Sequence, residues 1–231
     1  MSNAQFQKGM RMAGVSIGTV SYNSGKADYT YPPPTTGFTR NTNDFGLSLS
    51  PNYGWFITAN TVIGASLNLG YRHSKIFDED AVNGNTFNKD ESSSFSVGVG
   101  GFARNYFSTP GKFYPFGQFG FNFGIGSADQ KGFYFKGSDK YTYNGKASGS
   151  FFANTGLAFG LTKLLNKHTG LDFSVGYNFS YYKNSFKTTT LIDLTNNGTV
   201  DQTNISEPTQ KFTNHGVSLS VGFQIFLEGK K

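Results

Sequence analysis

The chain has no cysteine, a single tryptophan and three methionines, and only 15% of its 231 residues are charged. Without cysteine there is no disulfide framework, no cysteine zinc site and no thiol nucleophile. No stretch approaches 18 consecutive apolar residues, so no transmembrane helix can be drawn. Phosphate loops, zinc motifs and nucleotide fingerprints are missing, which points to no cofactor. The formal charge of +6 is modest and spread along the chain, and makes no case for nucleic acid. Residues 1–4 lack the basic and apolar regions of an export signal, and Ser2-Asn3-Ala4 reads as an expression scar. Residues 1–10 are therefore expected to be a disordered or tag-derived N-terminus on a single domain that occupies 1–231.

Glycine and aromatics are abundant. There are 30 Gly, nearly twice the average usage of about 7%, with 25 Phe and 13 Tyr. The glycines keep no period of three, which excludes collagen, and so much aromatic material argues against disorder. These residues fall into period-two alternation over eight segments of the length a tilted membrane strand requires. The first, near 11–23, sets Val15 and Ile17 against Gly14, Ser16 and Gly18. The second, near 44–56, sets Phe45, Leu47, Leu49 and Tyr53 against Gly46, Ser48 and Ser50. The third (62–74) and fourth (94–107) continue the scheme, with Ile63, Leu67, Leu69, Tyr71 and Phe95, Val97, Val99 on the apolar face. The fifth (114–127) is the clearest, with Phe119, Phe121, Phe123 and Ile125 opposite Gln118, Gly120, Asn122 and Gly124. The sixth (150–162), seventh (from 171) and eighth (216–225) repeat it.

The connections alternate in length. Long links are expected at 24–43, 75–93, 128–149 and 183–210, and short ones at 57–61, 108–113 and 163–169. All the long links then fall at one end of an up-and-down meander, as in outer-membrane barrels. The face opposite the apolar one is Gly, Ser and Asn with almost no charge, which suits a narrow lumen and not a water-exposed surface. The apolar face therefore points outward into lipid, where a midplane charge would cost about 2 to 4 kcal/mol. Closure pairs the backbone groups that lipid cannot satisfy. The expected fold is all-β: a closed antiparallel up-and-down eight-stranded transmembrane β-barrel.

Aromatics at strand ends fit interface girdles, with Tyr53, Trp55, Phe56, Phe107 and Phe113 toward the short turns and Tyr22, Tyr71 and Tyr181 toward the long links. The chain thus resembles the eight-stranded outer-membrane β-barrel family of OmpA-like and OmpX-like transmembrane domains. Its last strand is similar to that family's assembly signal at Ser220, Gly222, Ile225 and Leu227, although the family commonly ends on Phe. The resemblance implies a Gram-negative outer membrane and insertion by the barrel-assembly machinery. It also implies contact with membrane lipids and lipopolysaccharide, with no cofactor.

Several constellations bear on function. Arg104 and Asp172 are the charges on the small-residue face at similar depth, and are expected to pair across the lumen as a plug joined by Gln118, Asn122, Asn154 and Asn178. A gated ion path is the alternative reading of the same charges. His73 and His215 lie near the outer ends of non-neighbouring strands, and a lipid-remodelling enzyme would use such rim groups with a Ser and a carboxylate. Asp193, Thr195, Asn197, Gly198 and Asp201 loosely follow calcium-loop spacing, with Asn204 where an acid belongs. Asn197-Gly198 reads better as a hairpin turn, whose edge suits a partner strand. Asp78, Glu79, Asp80, Asp90 and Glu91 read as a solvated loop, and Pro32, Pro33 and Pro34 as stiffeners of the first long link. The expected function is a monomeric structural or interaction protein, not an enzyme, with a plugged polar lumen and an unidentified partner at four outer loops. A lipid-remodelling enzyme and a narrow pore are the alternatives.

Overall fold

The computed structural model describes residues 6–31, 37–107 and 112–228. Pro32 to Pro34 and most of the 108–113 link lie outside the described residues. Eight long strands form the ring: β1 (Arg11–Tyr29), β2 (Phe38–Phe56), β3 (Thr61–Asp80), β4 (Thr86–Tyr106), β5 (Phe113–Lys136), β6 (Asp139–Leu164), β7 (Thr169–Asp193) and β9 (Thr209–Leu227). A five-residue strand, β8 (Gln202–Ser206), pairs outside the ring with residues 188–192 of β7. Each ring strand is antiparallel to its neighbours, and β9 pairs with both β7 and β1 to close the circuit.

The strands overrun the expected boundaries. The segments read as long loops are largely hairpins: β1 and β2 stay paired to Tyr29 and Phe38, β3 and β4 to Glu79 and Thr86, and β5 and β6 to Lys136 and Asp139. Beyond the apolar span polar and charged residues are mixed with aromatics such as Phe38, Phe87, Phe133 and Tyr134, so the hydropathy contrast fades while backbone pairing continues. Runs such as Thr188-Thr189-Thr190 favour extended chain without marking a buried face. Three irregularities shift the register, one of them at Phe87, passed over between Thr86 and Asn88 in the pairing of β4 with β3. Gly18 is passed over between Ile17 and Thr19 in the pairing with β2, so the outward residues are Val15 and Ile17 before it and Val20 and Tyr22 after it. In β6 the register shifts between Ala147 and Phe151, around Gly149 at φ +70°.

Closure is also shorter than expected. β1 meets β9 only over seven pairs, 11–17 against 221–227, while β1 follows β2 to Tyr29 and β9 follows β7 to Thr209. From the middle of the apolar span outward, these two strands part.

The expectation that residues 1–10 stand outside the fold is corrected for 6–10. The Gly9 amide donates to the Phe56 carbonyl (2.8 Å) and the Phe56 amide to the Met10 carbonyl (2.9 Å), bringing Phe6 back under the ring. Phe6 is 3% exposed because an apolar ring beneath an aromatic-lined mouth has nowhere else to be buried.

Candidate functional site

The outward face is apolar over one band. On β7 it runs through Phe173, Val175, Tyr177, Phe179 and Tyr181 before reaching Lys183, and on β5 through Phe119, Phe121, Phe123 and Ile125 before Asp129 and Lys131. A water-facing surface does not carry such a belt, whereas hydrocarbon of about 25 Å requires it. The chain is a transmembrane β-barrel. Of the expected girdle residues, Tyr22, Trp55, Tyr71, Phe107 and Phe113 are exposed on this belt, and Tyr53 stacks edge-on against Trp55 at 4.9 Å. Tyr181 shares the outward parity of Tyr177 and Phe179. Phe56 does not belong to the girdle. Its neighbour Trp55 takes the outward position, so Phe56 points inward and is 2% exposed.

Phe56 is part of a floor that the sequence reading missed. Phe6, Met10, Met12, Phe56, Val62, Phe102, Tyr106, Phe116, Leu164 and Phe226 form one buried cluster inside the short-turn end. Phe6 is its centre, with ring centroids 4.7 to 5.0 Å from those of Phe56, Tyr106, Tyr114 and Phe226. The signal was present: these large residues take the parity otherwise held by Gly, Ser and Asn. Glycines opposite make room for them, since a Cβ on Gly54 would lie 3.1 Å from the Phe102 ring and one on Gly64 2.6 Å from it.

Above the floor lies the charged layer. The Arg104 guanidinium donates from Nη1 to Asp172 Oδ2 (2.6 Å) and to the Tyr106 hydroxyl (3.0 Å), and from Nε to Gln118 Oε1 (2.8 Å). Its carbon centre sits 4.0 Å from the Phe116 ring centroid. Asp172 also accepts from the Thr162 hydroxyl (2.6 Å) and from Gln224 Nε2 (3.1 Å). Both charges are buried, so each depends on the other for neutralisation. Neighbouring-strand residues hold them at one depth: Arg104 faces Gln118 in the β4–β5 register and Thr162 faces Asp172 in β6–β7.

Next comes a polar cavity of about 240 Å³. Asn122, Asn154 and Asn178 line it, with Asn154 donating to Asn122 (2.9 Å) and Asn178 to Ser218 (2.7 Å). Ser16, Ser50, Asn52 and Asn68 complete one wall, where Asn52 Oδ1 and Asn68 Nδ2 are buried with no protein partner. The structure thus brings all six sequence-predicted lumen residues into one stack, from ion pair to cavity.

Toward the outer end, the hairpin extensions have their own interior. Asp78 is buried and takes a two-pronged hydrogen bond from Arg40 (2.7 and 2.8 Å) and one from Asn88 (2.9 Å). These bonds, Arg40's foremost, hold its carboxyl below the ordinary carboxylate range against the opposing effect of burial. Tyr143 donates to Asp90 (2.6 Å), and burial together with that carboxylate raises its phenol. The residues read as a solvated loop thus include Asp78 as an interior anchor.

The rim histidines face outward on separate strands. His73 Nδ1 lies 2.9 Å from Ser93 Oγ, its cross-strand partner, and His215 Nδ1 lies 2.8 Å from the Tyr177 hydroxyl. The nearby Glu91 carboxylate is paired with Lys89 (3.2 Å) and Lys131 (3.6 Å). In the loop read against calcium spacing, Asp193 accepts the amides of Asn197 (3.0 Å) and Gly198 (2.8 Å), and Asp201 accepts that of Leu194 (2.7 Å). These carboxylates cap a turn with Thr195 and Asn196 at positive φ, which is turn chemistry and not an open ligand set. Among the described residues no group of acids and histidines is arranged to hold a metal.

The expected assembly residues sit on the closing strand. Gly222 packs where a Cβ would lie 2.9 Å from Ser16 Oγ, and Ile225 and Leu227 face outward.

No family model and no curated protein matches the chain. Among solved structures it is similar to the outer membrane protein OprG from Pseudomonas aeruginosa, at 15% identity over 95% of this chain and 98% of that one, with a TM-score of 0.39. It is similar also to Neisserial surface protein A, at 12% identity over 94% and 97%, TM-score 0.34. A third is the outer membrane protease OmpT from Escherichia coli, at 10% identity over 96% and 98%, TM-score 0.32. Likeness at this level carries no chemistry to the chain, and the architecture rests on its own strand registers.

Proposed function

We propose that the chain is an integral protein of a Gram-negative outer membrane that acts as a structural and interaction protein, with a lumen plugged against through-flow. The observation that carries this reading is the two-layer stopper, the Phe6-centred floor beneath the buried Arg104–Asp172 pair. Eight strands leave an interior just wide enough for side chains, and here two successive layers fill it. The paired hairpin extensions present their tips as rigid stems for an unidentified partner. Outside the belt, Lys146 faces Lys187 and Lys183 faces Lys211 across neighbouring strands. Like charges directly opposite are unfavourable unless an anion lies between them, which suits lipid or lipopolysaccharide phosphates. Ser220, Gly222, Ile225 and Leu227 are the residues we assign to recognition by the assembly machinery. The protein works as a monomer without a cofactor.

Planar-bilayer recording of the purified protein tests the plug. Silence across a range of voltages is expected, and steady single-channel currents would overturn it. A second reading, a lipid-active enzyme at the rim, draws on the 2.9 Å His73–Ser93 contact. It requires that His73→Ala and Ser93→Ala each change the lipid composition of membranes holding the protein.

A further inference from the structure

The lumen cavity has a side exit. The β1–β9 ladder stops at Ile17 and Val221, and Ser220 Oγ reaches the Ile17 carbonyl at 3.4 Å as the last link across the seam among the described residues. Above it, residues 209–219 of β9 are exposed on both faces, including side chains that should point inward. Val20, Val217 and Leu219 are 65%, 73% and 74% exposed at the parted edges, and a Cβ on Gly216 would meet nothing within 4 Å. The split begins at membrane depth, because Val217, Leu219 and Val221 continue the apolar belt of β9. Unpaired backbone groups at that depth need a partner, since hydrocarbon offers none.

Ser16, Ser218 and Ser220, the residues flanking the split, are also walls of the 240 Å³ cavity. The floor closes that cavity below, so its ways out are upward and sideways. We propose that the parted outer half of the β1–β9 seam is a lateral portal where an uncharged amphiphile binds, its hydrogen-bonding head in the lumen cavity and its acyl chain in the membrane. This rests on the membrane-barrel reading above. The head is neutral because the cavity's charges, Arg104 and Asp172, already satisfy one another, while its other polar walls are Ser, Thr, Asn and Gln. It is a hydrogen-bonding head because Asn52 Oδ1 and Asn68 Nδ2 are buried without protein partners on the same wall. The chain is apolar because Val20, Val217 and Leu219 line the way out. A strand from another protein would satisfy the edges but leave the cavity and its two orphaned amide atoms unfilled.

A reversible lock tests the portal. Carrying the β1–β9 ladder past the Gly18 irregularity brings Asn23 opposite Gly216, and the chain has no cysteine of its own. In the double variant Asn23→Cys/Gly216→Cys, clear of the cavity walls, a disulfide forms only if the strands zip to Cα separations of about 4.4–6.8 Å. The readout is native mass spectrometry of the detergent-solubilised protein titrated with monooleoylglycerol. One bound molecule is expected for the unmodified chain and for the reduced variant. The oxidised variant should bind at least about tenfold more weakly, with recovery on reduction. Oxidised Ala13→Cys/Ile225→Cys, in the part of the seam already paired, should bind as the unmodified chain does. Undiminished binding by the locked variant, no binding by the unmodified chain, or a dimer joined through these edges would each overturn the portal. Failure of the membrane-barrel reading shows separately, as a protein soluble without detergent whose band on an SDS gel does not shift on heating.

Discussion

Removing the Asp172 carboxylate is the sharpest test of how the lumen is held together. In Asp172→Ala the Arg104 guanidinium, 5% exposed, loses its 2.6 Å counter-ion but keeps Gln118, Tyr106 and the Phe116 face. Thr162 and Gln224 lose their acceptor at the same time. Breaking a buried pair from one side costs about 3–5 kcal/mol, since the remaining charge is stranded away from water. For urea slopes of about 1–3 kcal/mol/M, that is a fall in midpoint on the order of 1–5 M. Unfolding from lipid vesicles reports it through fluorescence of Trp55, the sole tryptophan, on the lipid-facing side of β2 and remote from the change. The double variant Arg104→Met/Asp172→Leu removes both charges and should recover most of the loss. A cost below about 1 kcal/mol for Asp172→Ala, or a double variant as unstable as the single one, would refute the reasoning.

Three further outcomes follow from the same geometry. Phe6→Ala empties the centre of the floor and should cost about 3 kcal/mol by the same assay, yet leave bilayers silent because the Arg104–Asp172 layer remains above it. Gly124→Val places a branched side chain 2.6 Å or less from the Phe152 ring and against the β4 backbone, and should lower the yield of the heat-shifting folded band on an SDS gel. The depressed carboxyl of Asp78 gives the β2–β3 extension a pH dependence. Its contribution is fully present above the unfolded-state value near pH 4 and is lost as pH falls through the lower folded value. Amide protection factors at residues 38–44 and 74–80, taken relative to the intrinsic exchange rate at each pH, should therefore fall in acid, and Asp78→Asn should already show low protection at neutral pH; protection that does not change with pH in the unmodified chain would refute the anchor.

The belt and the strand count were legible because hydrocarbon on one face and a small-residue lumen on the other impose the strongest period-two contrast a chain can carry. The Arg104–Asp172 pairing was legible for a related reason: two charges of opposite sign on the small-residue face, at matched distances from the short turns, stand at one depth, whereas Asp44 and Arg72 on the same face lie toward the other end. The outer hairpins were not, because their interior holds polar residues such as Asp78 beside apolar ones, which removes the contrast while leaving the hydrogen bonds. Phe56 was misplaced by residue type, since an aromatic near a strand end looks like a girdle residue whichever way it points. Strict parity would have turned it inward beside Met12, Tyr106, Phe116 and Phe226. The parity rule has its own blind spot at Gly18. There one passed-over residue exchanges the two faces of β1, and hydropathy alone shows only that Val20 and Tyr22 have changed phase with Val15 and Ile17.

That same glycine ties closure to access. Below it β1 matches both neighbours around the floor and the ion pair; above it β1 follows β2 alone, and β9 follows β7. A ring sealed along its whole height with the same floor would enclose a cavity reachable only from the outer hairpins. A ring parted below Ile17 would expose the Arg104–Asp172 layer to lipid, where charge is most costly. The point of parting therefore falls where the interior changes from charged to neutral, between Asp172, opposite Gly222, and Gly176, opposite Ser218. Seam and lumen chemistry change together at one depth, so inserting a residue after Ile17 to restore the phase of Val20 with Val15 should disturb ligand access before it disturbs the stability of the lower barrel.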